Sequence, residues 1–200
     1  MNSSRSSPSS PVEYLITGGH WNSEYQVAHN GTVLYHVENK SLSPDKPHLI
    51  FFAGNTTGGP VVGSADTGRF SSDVQITLGD PHFPKTITAT KLHKKGMVSL
   101  RYIMELEVDR EKRTFTWKRT ELADSFGPTA SLKLTDEANE MVAIFLPGGG
   151  RVQSDGVVKL YADLGESFKL MTLIAALALR EKTRAQSTKP TADLRFPVAY

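Results

Sequence analysis

A closed, mainly β antiparallel barrel around one hydrophobic C-terminal helix is the fold class that this sequence of 200 residues predicts. Two observations carry the expectation. From residue 12 to residue 161 short apolar runs follow one another, separated by Gly, Pro, Asn and Asp, which is the pattern of antiparallel strands in a sandwich or barrel. The exception comes late. Residues 170–179 are apolar at every position but Thr172, so this segment lacks the polar stripe of a surface helix and must be enclosed.

Taken in order, residues 1–11 are rich in Ser and Pro without an apolar pattern and are expected to be a disordered tail, not a secretory signal. Strands are expected over residues 12–17, 32–37, 48–53, 60–65, 74–78, 86–92, 98–108, 114–118, 131–134, 141–146 and 157–161. Turns are expected at Asn30-Gly31, at 54–59, at Gly79-Asp80-Pro81, at Gly127-Pro128 and at 147–150. Residues 98–108 are the clearest strand. Val98, Leu100, Tyr102, Met104, Leu106 and Val108 alternate with Ser99, Arg101, Ile103, Glu105 and Glu107, so one face is buried and the other wet. Phe115 and Trp117 continue the alternation after a polar turn expected at 109–112. Residues 141–146 are apolar on both faces and are expected to be buried on both. No internal repeat points to a propeller or solenoid.

A helix is expected within residues 163–184, where Leu, Ala and Met dominate and no Gly or Pro interrupts after Gly165. The ten residues 170–179 would rise only about 15 Å, half of a bilayer core, so protein and not lipid is expected to enclose them. Many strands followed by one enclosed helix give the barrel threaded by a helix. Arg180, Lys182 and Arg184 are expected to emerge into water at its C-terminus. Residues 12–184 are then one domain and 185–200 an extension.

Composition narrows the chemistry. The chain has no Cys, which excludes a disulfide framework, a zinc ribbon and a thiol nucleophile. It has no apolar run of spanning length and no transmembrane segment is expected. A net charge of +2 is too small to indicate nucleic-acid binding, and no nucleic-acid signature is present. The six histidines show no metal-ligand spacing, and Asp66, Asp73 and Asp80, seven apart, match no calcium loop. The Gly-rich stretches at 54–59 and 148–150 are followed by no Gly-Lys-Ser/Thr, and no Gly-x-Ser-x-Gly elbow occurs. No cofactor, metal or catalytic residue is therefore assigned. Asn30-Gly31-Thr32, Asn39-Lys40-Ser41 and Asn55-Thr56-Thr57 match the glycosylation pattern but read as turn sequences, and the expected location is cytoplasmic.

Several segments together resemble a known family. They are Leu49-Ile50-Phe51-Phe52-Ala53-Gly54, Gly59-Pro60-Val61-Val62-Gly63, Ile76-Thr77-Leu78-Gly79-Asp80-Pro81, Phe115-Thr116-Trp117-Lys118-Arg119-Thr120, and the apolar 173–179 followed by Arg180-Glu181-Lys182. In order and spacing, over about residues 35–184, the chain is similar to a fungal family of uncharacterised small proteins related to the tubby C-terminal domain, the plant LURP-one-related proteins and the phospholipid scramblases. The resemblance implies a twelve-stranded tubby-like barrel around a central helix. Tubby relatives bind phosphoinositide headgroups through surface Lys and Arg. The family carries no set of site residues to this chain.

Charge distribution supplies candidates instead. Residues 85–119 hold ten basic residues against four acids, a net +6; since the whole chain is +2, the remainder is −4. Consecutive antiparallel strands would gather these cations, and phosphate oxygens accept charge-assisted bonds from Lys and Arg. Lys91, Lys94, Lys95, Arg101, Lys112, Arg113, Lys118 and Arg119 are the candidates for binding an anionic lipid headgroup, phosphoinositide-like, or another polyanion. Arg101 and Lys118 lead because each lies inside a strand, opposite an apolar face. The expected partner is an anionic membrane surface, bound peripherally. Three alternatives stay open: a solvated outer face with no ligand, an enzyme or carrier using a barrel-mouth pocket for a small apolar compound, and a protein-interaction module.

Overall fold

The computed structural model describes residues 10–18, 24–40, 48–68, 71–80, 82–83, 87–96, 101–120, 131–148 and 155–187. The strands are β1 (Val12–Gly18), β2 (Glu24–His29), β3 (Thr32–Asn39), β4 (Leu49–Ala53), β5 (Val61–Asp66) and β6 (Val74–Leu78). They continue as β7 (Thr88–Lys94), β8 (Arg101–Val108), β9 (Glu111–Arg119), β10 (Leu132–Thr135), β11 (Met141–Pro147) and β12 (Gly156–Leu160), before helix α1 (Glu166–Ser187). Each strand pairs antiparallel with its sequence neighbours, and β1 pairs with β12, closing a twelve-stranded barrel. The expected fold class is the one observed.

Strand number explains the helix. About eight strands make a barrel that side chains alone can fill; twelve leave a wider lumen. The helix occupies it. Phe168 is buried, and no residue in 171–179 is more than 2% exposed, Thr172 included. Ala175, Ala176 and Ala178 keep the helix slim, and it lies closest to β5 and β6. There Gly63 leaves room for it: a Cβ at that position would stand 2.6 Å from Ile174 Cδ1 and 2.9 Å from the Thr77 carbonyl oxygen. The Phe115 and Phe168 rings meet at 5.1 Å toward the other end of the lumen.

Hairpins set the register. Asn30 and Gly31 (φ 49° and 78°) link β2 to β3, and Asp109 and Arg110 (φ 54° and 64°) link β8 to β9. Each two-residue loop with both φ values positive matches the twist of its flanking strands. The turn expected over 109–112 is thus only two residues long, because Glu111 and Lys112 already pair with Val108 and Glu107. Strand β2 is an addition to the expected strands. Residues 98–100 of the expected seventh strand, the expected turn at Gly127-Pro128, and the tails at 1–9 and 188–200 lie outside the described residues. Residues 142–145 are buried on both faces, as the apolar run predicts. None of the described helices is long and apolar enough to cross a membrane.

Candidate anion-binding face

Alternation decides which side chains leave the barrel. In β8, Tyr102, Met104, Leu106 and Val108 point in, and Arg101, Ile103, Glu105 and Glu107 point out. In β9, Phe115 and Trp117 point in and Lys118 points out; in β10, Lys133 points out between buried Leu132 and Leu134. Register then decides which outward residues meet. Arg101 is the direct partner of Lys118, and Lys118 of Lys133. Lys94 is opposite Tyr102, and the next residue, Lys95, donates its N–H to the Arg101 carbonyl at 2.8 Å, continuing the ladder by one position. Lys95, Arg101, Lys118 and Lys133 therefore form one row across four adjacent strands. Strands about 4.8 Å apart give that row a length of about 14 Å.

Little on the wall compensates Arg101, Lys118 and Lys133. Lys118 Nζ donates to Asn139 Oδ1, a neutral acceptor, at 2.5 Å. Among the described residues no carboxylate pairs with the side chains of Arg101 or Lys133. Glu105, the nearest outward acid on β8, is engaged by Lys112 at 2.5 Å. Like charges directly opposite one another on a sheet repel, so the row costs the fold stability.

The other candidates lie elsewhere. Lys112 and Arg113 sit at the opposite end of β9, six and five residues from Lys118, about 20 Å and 17 Å along the strand. They pair with Glu105 and, at 3.6 Å, with Glu111. Lys91 and His93 reach one Asp73 oxygen at 3.2 and 3.3 Å, while the Lys94 N–H donates to the other at 3.0 Å. That amide bond, ahead of the Lys91 contact, holds the Asp73 carboxyl below its ordinary range. Lys94 and Arg119 end their strands at the barrel mouth from which the helix C-terminus emerges. The structure thus gathers Lys95, Arg101 and Lys118, and separates Lys112 and Arg113 from them.

Lys133 joins the row although the sequence argument passed over it. Its signal was its position between Leu132 and Leu134, but it lies beyond the basic segment. The helix end also differs from expectation. Arg180 does not run out into water: it bonds Asp155 at 2.5 Å and Glu181 at 3.2 Å and lies over the Tyr25 ring at 5.3 Å. Glu181 further accepts from Tyr25 Oη at 2.6 Å, Asn39 Nδ2 at 2.8 Å and Arg184 at 2.7 Å. Burial, then the adjacent Glu181 carboxylate, pushes the Tyr25 hydroxyl well above the usual phenol range. Lys182 donates to the carbonyls of Ser71 and Asp73 at 2.9 and 3.1 Å, and burial pushes its ammonium pKa down. These cations clasp the mouth and are committed to internal partners.

Compared with family models, curated proteins and solved structures, the chain matches none.

Proposed function

We propose that this protein is a non-enzymatic, tubby-like barrel that binds an anionic lipid headgroup, peripherally at a membrane surface, through the outer wall of β7–β10. The observation that carries the reading is the row Lys95, Arg101, Lys118 and Lys133, four cations in register, in which Lys118 has a neutral hydrogen-bond partner and Arg101 and Lys133 have no side-chain partner among the described residues. Phosphate oxygens relieve such a row directly, because each can accept charge-assisted bonds from adjacent side chains. Each cation near an anionic surface contributes roughly 1 kcal/mol, so four support reversible binding and not permanent anchorage. The filled lumen weighs against the carrier reading, since the inward faces of the strands pack on α1.

The test is co-sedimentation with vesicles of neutral lipid, with and without phosphoinositide. The parent should sediment only with anionic vesicles, and less as salt rises. Arg101→Ala with Lys133→Ala should abolish sedimentation, whereas Lys112→Ala with Arg113→Ala should leave most of it. Equal loss in both double variants would reduce the effect to net charge and remove the site.

A further inference from the structure

We propose that His93 and Asp73 make anion binding on this face respond to pH, acidification tightening it; the proposal rests on the anion-binding reading of the same face. The arrangement is local and built from three strands. Val74 pairs with Leu92, which places Asp73 beside His93. His93 points outward on β7 with its side chain 61% exposed, two residues before Lys95. Across the ladder its partner is Ile103, so Arg101 lies on the diagonal. Diagonal and i+2 neighbours on one sheet face are about 7 Å away.

The charged groups facing His93 come from every neighbouring element. From the β6 side there is Asp73; on β7 and just beyond it, Lys91 and Lys95, while Lys94 alternates to the other face and gives Asp73 its backbone N–H; on β8, Arg101 and Glu105, the latter turned to Lys112. From α1, Lys182 binds the Asp73 carbonyl and fixes that residue in place. With His93 neutral, Lys91 is the cation in direct contact with the Asp73 carboxylate. When His93 takes a proton, the same carboxylate is shared by two cations, and the net charge beside Lys95 and Arg101 rises by one. The Lys94 amide keeps Asp73 ionised throughout. An anion on the row favours the protonated imidazole, and by linkage the protonated imidazole favours the anion to the same degree.

Histidine is the side chain whose charge in general changes between about pH 5 and 8, so binding is compared near the two ends of that range. One added charge about 7 Å from a ligand charge held at Lys95 or Arg101 strengthens binding roughly threefold in water for each such ligand charge, before salt screening. Phosphate itself titrates in this range, so the probe is inositol hexasulfate, whose charge is constant. Its dissociation constant is measured by calorimetry at pH 8.0 and 5.5 at fixed ionic strength, with circular dichroism confirming the fold at both.

The full chain should bind roughly three- to tenfold more tightly at pH 5.5. His93→Gln should flatten that response, and His82→Gln, on the β6–β7 connection, should retain it. Asp73→Asn keeps an oxygen for the Lys94 amide but removes the counter-charge, and should tighten binding already at pH 8.0. A pH response that persists in His93→Gln overturns the switch while leaving the anion site standing. Binding by the parent that is equal at both pH values does the same. No binding at either pH overturns the anion site and the switch with it.

Discussion

Replacing Gly63 by Ala probes a place where the barrel wall has given up a side chain to the helix. Gly63 has no left-handed φ, so an Ala there meets no backbone strain and its cost is steric. The new methyl would stand 2.6 Å from Ile174 Cδ1, the end of a flexible side chain, and 2.9 Å from the Thr77 carbonyl oxygen, which belongs to the ladder. Overpacking of this kind costs about 1–3 kcal/mol. For a chain near 200 residues that corresponds to a fall in Tm of roughly 2–12 °C. Ile174→Val removes the clashing Cδ1 and alone costs about 0.5–1.5 kcal/mol through the space it leaves. If the helix lies where described, the added methyl fills part of that space. Gly63→Ala with Ile174→Val should then be less destabilised than the sum of the single changes by about 1 kcal/mol or more. Recovery should be partial, because the Thr77 oxygen does not move with Ile174. The assay is urea unfolding of the parent, both single variants and the double variant. Additive effects, or a Gly63→Ala protein as stable as the parent, would refute the packing of α1 on β5.

Two further outcomes test the enclosed helix and the mouth. Ala175→Asp places a carboxylate at a fully buried position with no partner; at several kcal/mol it should prevent folding, and a soluble variant with parental circular dichroism would contradict the burial. Tyr14, Tyr25, Tyr35 and Tyr102 have hydroxyl pKa values raised chiefly by burial, so the stability tied to their protonated forms is complete below the ordinary phenol value near 10 and is lost as pH rises above it. The urea midpoint should therefore fall steeply above about pH 10, with tyrosinate absorbance at 295 nm rising as the barrel unfolds; all six tyrosines ionising near pH 10 in a folded barrel would contradict it.

The barrel was legible because its physics is local. Alternation in residues 101–108 needs only the pleat, and the enclosure of α1 needs only a missing polar stripe. Strand β2 shows a local signal left unused. Asn30-Gly31 calls for a strand on each side, yet Glu24, Gln26 and His29 make the earlier arm look polar although Tyr25 and Val27 are buried. The short turn at Asp109-Arg110 had no such signal, since neither residue is the Gly that a positive φ favours. The site was legible only by halves. Sequence shows that Arg101, Lys118 and Lys133 point outward, but their meeting depends on register across three strands, which side-chain pattern leaves open. The mouth clasp was hidden more deeply: Tyr25 and Glu181 are 156 residues apart, and neither is unusual in its own segment.

The separation of the basic residues bears on why the row should be read as a site and not as incidental charge. Where cations serve the fold, the structure supplies counter-charge within reach: Lys91 has Asp73, Lys112 has Glu105, Lys159 has Glu13, and Arg180 has Asp155 and Glu181. Along the row that rule lapses at Arg101 and Lys133, in a sheet where opposed like charges each cost up to about 1 kcal/mol and an acid at either position would convert repulsion into attraction. Nothing in the core demands these side chains, since they point away from it. A bound polyanion removes the penalty and adds its own free energy of binding to the stability of the folded barrel, by an amount that grows with ligand concentration. On the proposed reading the face is less stable alone than it would be with alternating charge and more stable when occupied, the energetic balance expected of a binding surface.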